Sequence, residues 1–158
     1  MKKKISILGG SGHVGMPLAL KFAQKGYYVA AIDKNKTLNN LLNRGIVPYK
    51  EVNAKKLLKS AIKKKKIIFT NSLSEIKNSD FIVITVGTPI TAKKKPNMNY
   101  VFKVINEIKK YLNFNQSIVL RSTVYPGTTL KIIKKLRKID IKSKVSYCPE
   151  RVAQGKSI

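Results

Sequence analysis

Between Ile5 and Ala23 the chain changes its hydrophobic period at a cluster of glycines. Ile5-Ser-Ile-Leu8 is a short, largely apolar run of the length of a buried strand. Gly10, Gly12 and Gly15 follow at the spacing G-x-G-x-x-G, and apolar residues then recur as Val14, Leu18, Leu20, Phe22 and Ala23, the period of a helix. A strand that passes through glycines directly into a helix must bring the helix start against the strand tip. Each glycine then has an expected role. Gly10 admits the tight turn, Gly12 lets backbone approach a bound group closely, and Gly15 allows the helix to pack hard on the strand. The first amides of a helix have no partners inside it, and the helix dipole favours negative charge there.

Together these features are the fingerprint of a dinucleotide turn, with a pyrophosphate at the helix start. A second strand, Tyr28-Val-Ala-Ala-Ile-Asp33, supports the reading because it ends in an acid. The fingerprint places such an acid about twenty residues further on. Asp33 would accept hydrogen bonds from an adenosine ribose and repel a 2′-phosphate, which favours NAD over NADP. Lys34 and Lys36 argue the other way, since cations there could receive a 2′-phosphate. The alternative for Asp33 is a surface aspartate capping the next helix.

The remaining chain repeats the alternation. Leu38, Leu41 and Leu42 mark a helix ended by Gly45, and an irregular loop, Ile46 to Glu51, carries one aromatic. A helix from Ala54 to about Lys63 and a strand Ile67–Thr70 follow. Ser72 and Glu75 have capping-box spacing and start a short helix. Asp80 to Val86 is an almost unbroken apolar run, the mark of a central parallel strand covered on both faces. Tyr100 to Leu112 is helical, with Val101, Val104, Ile105, Ile108 and Leu112 on its buried side. Ser117–Arg121 is a fifth strand. Leu130, Ile133 and Leu136 share the buried face of another helix, and Lys144–Tyr147 is a sixth strand. Strands alternating with helices predict an α/β fold of Rossmann type, a doubly wound six-stranded parallel sheet in the order 3-2-1-4-5-6.

The charge balance needs its own account. There are 33 basic residues against seven acidic ones, a formal net charge of +26. Such an excess is one footprint of nucleic acid or an anionic membrane. Only four of the basic residues are arginine, the better residue for bidentate phosphate and base contacts. The lysines are spread along the chain, and no nucleic-acid motif accompanies them. Solvated surface lysine is the preferred reading, with no specific nucleic-acid partner and no membrane partner. One cysteine, Cys148, and one histidine, His13, exclude an internal disulfide and a multi-histidine metal site. No apolar run approaches the length of a membrane span, and the protein is read as cytoplasmic.

In an open parallel sheet, ligands bind beyond the carboxyl ends of the strands. Five polar turns fall there: the glycine turn, Asp33, Gly87-Thr-Pro89, Ser122-Thr123, and Cys148 to Gly155. Each alone could be a helix cap; together they predict one pocket. Glu150 and Asp33 are the acids at strand tips on that side. A carboxylate beside the reacting end of a dinucleotide suits general-base work or water positioning. The alternative for Glu150 is a surface ion pair with Arg151.

These motifs also carry a family resemblance. Gly12-His-Val-Gly15 with Pro17 and Leu18, Gly87-Thr-Pro89, Pro96-Asn-Met-Asn-Tyr-Val101, Arg121-Ser-Thr-Val-Tyr-Pro-Gly-Thr-Thr129 and Cys148-Pro-Glu-Arg-Val152 resemble the nucleotide-sugar 6-dehydrogenases. These are the UDP-glucose, UDP-N-acetylmannosamine and GDP-mannose dehydrogenases. The match runs in order along essentially the whole chain. The P-E-R-V version is most similar to the UDP-N-acetyl-D-mannosamine branch.

The resemblance implies a four-electron oxidation of the C6 alcohol of a UDP-sugar to a uronic acid with two NAD, through a thioester on a cysteine. It implies that His13, Val14, Asp33, Thr88 and Thr123 contact NAD beside Gly10, Gly12, Gly15 and Gly87. Thr123 would also position a catalytic water, and Glu150 would act as base or water-orienting acid. Glu150, Arg151 and Val152 would meet the nucleotide sugar. Full-length relatives would be homo-oligomers.

The family's nucleophilic cysteine lies further along, on a central helix and second domain that residues 1–158 do not contain. Cys148 stands where a small residue precedes P-E-R and is expected to be a packed core thiol. The chain is therefore expected to be the NAD-binding Rossmann domain, completed by a missing C-terminal domain or a partner chain, and inactive alone. Two other functions compete. One is a Rossmann dehydrogenase of the 3-hydroxyacid type, against which the P-E-R turn argues. The other is a non-catalytic module binding NAD or a polyanion.

Overall fold

The computed structural model of the chain describes residues 3–87 and 98–151. Strands and helices alternate as β1 (Lys4–Leu8), α1 (Gly15–Gln24), β2 (Tyr28–Ile32), α2 (Lys36–Asn43), α3 (Ala54–Lys63), β3 (Ile67–Thr70), β4 (Phe81–Ile84), α4 (Asn99–Ile108), β5 (Ser117–Leu120), α5 (Thr128–Arg137) and β6 (Lys144–Tyr147). Short 3-10 turns at Leu73–Asn78 and Lys109–Tyr111 join them. The strands form one sheet, every pairing parallel, in the order β3-β2-β1-β4-β5-β6. This is the predicted architecture, with β1 in the middle.

The alternation of side chains along each strand feeds two cores, one per face. Ile5, Ile7, Val29, Ala31, Ile67 and Phe69 meet Met16, Leu20 and Ala23 of α1 and Leu58 and Ala61 of α3. On the other face Ala30, Ile32, Ile82, Ile84, Ile118 and Leu120 meet Val101, Ile105 and Ile108 of α4 and Ile132 and Leu136 of α5. Two-sided burial explains why β2 and β4 read as apolar runs. The one serine inside β1, Ser6, is buried, and its hydroxyl is matched by Ser79 at 2.7 Å.

Three details depart from the sequence expectations. Pairing of β4 stops at Ile84, short of Val86, because its neighbour β1 ends at Leu8, where the glycine turn begins. On α5 the buried positions are Thr128, Ile132 and Leu136, one helical stripe, whereas Leu130 is 61% exposed. Ser72 accepts from Ser74 N–H at the start of a 3-10 turn, a tighter arrangement than the expected capping box. Among the described residues no helix is long and apolar enough to cross a membrane.

Candidate functional site

The glycine turn leaves β1 toward β2. Gly9 and Gly10 N–H both donate to the Ile32 carbonyl, at 2.9 and 3.1 Å, so the turn folds over the tip of the second strand. The left-handed residue of the turn is Gly9, with φ of 81°. Gly10 is needed for a different reason. A Cβ there would lie 2.6 Å from the Cα of Ala31, so the turn could not rest on β2. Gly12 is open: a Cβ would meet only the Gly9 carbonyl oxygen, at 3.4 Å. Val14 precedes α1, and Pro17 falls in the helix's first turn, where its missing N–H costs nothing.

Asp33 stands immediately after β2. Its carboxylate accepts from Ser11 N–H in the glycine turn at 3.3 Å and from Asn35 N–H at 3.0 Å. The helix cap expected as the alternative role of Asp33 is supplied by Asn35, whose side chain accepts from Leu38 N–H at 3.0 Å. Asn39 ties the arrangement together, accepting from the Ser11 hydroxyl at 2.6 Å and donating to the Asp33 carbonyl at 2.9 Å. Lys34, one of two cations that could favour a 2′-phosphate, is instead paired with Glu107 of α4 at 3.0 Å.

Beside Asp33 a cleft of about 440 Å³ opens between the tips of β1, β2 and β4 and the side of α4. Gly9, Asp33, Lys34, Gly87, Tyr100 and Glu107 lie on its walls, over an apolar floor of Leu8, Ile32, Val104 and Ile108. An apolar floor with a carboxylate at one edge suits an adenosine, whose base wants apolar contact and whose ribose wants an acceptor. Gly9 brings the glycine turn to this cleft, and the open Gly12 and the start of α1, which follow it in the chain, suit the pyrophosphate. The residues present therefore fit a dinucleotide.

The far half of the strand-tip edge is laced by hydroxyls. Thr85 Oγ1 donates to the Leu8 carbonyl at 2.8 Å, and the buried Ser122 hydroxyl donates to the Val86 carbonyl at 2.6 Å. Thr123 is exposed beside it. After β6, Glu150 pairs with Arg121 from the end of β5, not with the Arg151 side chain. Arg151 contributes its backbone N–H, 2.9 Å from the other carboxylate oxygen of Glu150. Cys148 is exposed rather than packed, with Sγ 3.6 Å from the Arg121 guanidinium. The reason is its place: it is the first residue past an edge strand whose own side chains are mostly exposed.

The predicted residues thus fall in two groups. Gly10, Gly12, His13, Val14, Gly15, Asp33 and Gly87 gather around the β1, β2 and β4 tips, while Thr123, Glu150 and Arg151 follow β5 and β6. Thr88 and Val152 lie outside the described residues. Sequence reasoning missed Gly9, Glu107 and Tyr49. The Gly9-Gly10 doublet was a legible signal for the first. Glu107 reads only as a polar position on a helix. Tyr49 was the lone aromatic of an irregular loop, yet its ring lies on His13, with centroids 4.1 Å apart, and its hydroxyl reaches the carbonyls of the glycine turn.

Comparison with known proteins accounts for nearly every residue. Residues 3–158 match the sequence model of the NAD binding domain of the UDP-glucose/GDP-mannose dehydrogenase family. The UDP-N-acetyl-D-mannosamine dehydrogenase of Methanococcus maripaludis is 35% identical over 98% of this chain. The UDP-glucose 6-dehydrogenase of Rickettsia conorii is 31% identical over 94%. Among solved structures, the UDP-D-ManNAc dehydrogenase of Pyrococcus horikoshii superposes with a TM-score of 0.88 at 27% identity, over 96% of this chain and 37% of that one. The chain spans about 35% of the length of the first two relatives.

Proposed function

The chain belongs to the UDP-glucose/GDP-mannose dehydrogenase family, and from that premise we propose that it is the NAD-binding part of an enzyme oxidising the C6 alcohol of a UDP-sugar to a uronic acid. The substrate is UDP-N-acetylmannosamine or a similar UDP-hexose, and the conversion uses two NAD. The observation that carries the reading is the contact of Ser11 N–H with Asp33, which joins the glycine turn to a carboxylate at the edge of an apolar cleft.

In this reading Gly10, Gly12, His13, Val14 and Gly15 hold the pyrophosphate, and Asp33 accepts from the adenosine ribose. Gly87 and Thr123 follow the cofactor along the strand tips toward the sugar, and Thr88 would contact NAD as the family resemblance implies. When bound, NAD supplies the hydride acceptor. Glu150 orients water or takes a proton in hydrolysis. Its carboxylate is held by the Arg121 guanidinium on one oxygen and by the Arg151 amide on the other. Such fixation suits positioning, because a group already oriented loses little freedom when the reaction begins. Arg151 and Val152 would meet the nucleotide sugar. The cysteine that carries the acyl group, with the rest of the sugar site, would come from a further domain or a partner chain. The mannosamine branch is supported by Pro149-Glu-Arg-Val152 and by the Methanococcus relative.

Calorimetric titration of the purified chain tests the cofactor site, with NAD binding more tightly than NADP. Equal affinity for both would argue against the role of Asp33. Assay of the chain joined to the remaining part of such an enzyme, following NADH with UDP-N-acetylmannosamine and UDP-glucose, tests the substrate.

A further inference from the structure

Tyr49 reaches the glycine turn from the loop before α3. Its hydroxyl lies 3.0 Å from the Ser11 carbonyl oxygen and 2.9 Å from that of Gly12, and a phenol has one proton to share between them. Its ring lies tilted against the His13 imidazole. Tyr49 packs with the core on the α1 and α3 side of the sheet, whereas the floor of the cleft belongs to the core on the α4 side.

That placement has a consequence for the amides. The described peptides are all trans, and in a trans peptide the carbonyl and the following N–H point in opposite directions. Drawing the Ser11 carbonyl toward Tyr49, and the Gly12 carbonyl toward Tyr49 and the Met16 N–H that donates to it at 3.0 Å, therefore turns the Gly12 and His13 amides away from them. Gly12 N–H is spent on the Gly9 carbonyl at 3.2 Å, which, among the described residues, leaves His13 N–H as the donor directed to the opposite side. We propose that Tyr49 is a positioning residue for the dinucleotide, holding the glycine turn so that His13 N–H is presented to the pyrophosphate before the ligand arrives. Burial, together with the carboxylates of Glu51 and Asp33, pushes the Tyr49 phenol above its ordinary value, so the hydroxyl stays a donor in alkaline solution as well as at neutral pH. An amide aimed in advance avoids the ordering cost that a mobile glycine turn would incur on binding.

The inference rests on the reading that this turn receives a pyrophosphate, and the test separates the two. Tyr49→Phe keeps the ring and removes the hydroxyl. ADP-ribose, which carries the pyrophosphate, should bind it about tenfold more weakly, the scale of one net hydrogen bond. Adenosine, which lacks the pyrophosphate, should bind within about twofold of the unmutated chain. A merely structural role would weaken both ligands together, and that result overturns the proposal, as does unchanged binding of both. A second measurement needs no variant. In amide NMR of the unmutated chain, the His13 resonance should move with ADP-ribose and stay with adenosine; a His13 amide indifferent to ADP-ribose overturns the proposal. Failure of the unmutated chain to bind ADP-ribose or NAD at all would overturn the functional reading itself.

Discussion

Gly15 approaches Gly9 so closely that a Cβ on Gly15 would lie 2.1 Å from the Gly9 carbonyl oxygen. The start of α1 is thereby seated on the tip of β1, backbone against backbone. Gly12, two residues into the motif from Gly10, has no such neighbour. Gly15→Ala should destabilise the fold by about 3 kcal/mol or more, since neither partner is a flexible side chain that could move aside. Gly12→Ala should fold with a melting temperature within a few degrees of the parent and lose at least about tenfold in NAD affinity, because the methyl enters the space left for the phosphate. Thermal melts and calorimetry on the pair check both, and normal NAD binding by Gly12→Ala would refute the phosphate assignment.

Asp33→Ala should weaken NAD binding by about 1–3 kcal/mol, the scale of hydrogen bonds to a charged group. NADP should gain little from the change, because Lys34, the cation on the wall of the cleft, is engaged by Glu107. The double change Asp33→Ala with Glu107→Gln should favour NADP further by releasing Lys34. Titration of both cofactors against the three proteins reads this directly.

Asp80 ties the start of β1 to β4. It accepts from Lys4 N–H at 2.8 Å and from Lys3 Nζ at 3.0 Å, and these bonds hold its carboxyl below the usual range. A folded-state value below the unfolded one stabilises the fold above the unfolded value, about 4 for aspartate, and that stabilisation is lost as pH falls through the folded value. Asp80→Asn should therefore melt earlier than the parent at pH 7, and the gap should close below about pH 4. A gap that stays constant from pH 7 to pH 3 would remove this role.

The hydroxyls of Thr85 and Ser122 bridge the tips of β1, β4 and β5. Ser122→Ala takes the buried Ser122 hydroxyl away from the half-buried Val86 carbonyl and should cost about 1–2 kcal/mol. Thr85→Val should cost about 1 kcal/mol, because the backbone N–H of Thr85 still donates to Leu8. Urea unfolding with an unchanged slope is the measurement.

The 158-residue chain by itself should bind NAD yet give no steady NADH with UDP-sugars. Its only thiol, Cys148, is exposed at the end of an edge strand. Thioester chemistry needs a thiolate placed at the sugar C6 in a site sheltered from water. Turnover that disappears in Cys148→Ser would make this cysteine the nucleophile and reverse the assignment.

The fold was legible because its instructions are local and repeated. Apolar runs such as Phe81–Ile84 identify central strands, the helical stripe of Val101, Ile105 and Ile108 identifies the helix laid over them, and the right-handed crossover leaves few ways to join such units. The spacing of Gly10, Gly12 and Gly15 and the acid at Asp33 located the candidate site for the same reason, since each is a short-range requirement of one turn. Which glycine takes the left-handed conformation, which cation Glu150 holds, and that Cys148 faces solvent depend on neighbours distant in sequence. Arg121 meets Glu150 because β5 and β6 are adjacent, and Tyr49 meets the turn because α3 packs beside α1. Side-chain periodicity specifies which face of an element is buried; only packing in three dimensions decides what each remaining polar group touches, because hydrogen bonds reach about 3 Å and take no account of separation along the chain.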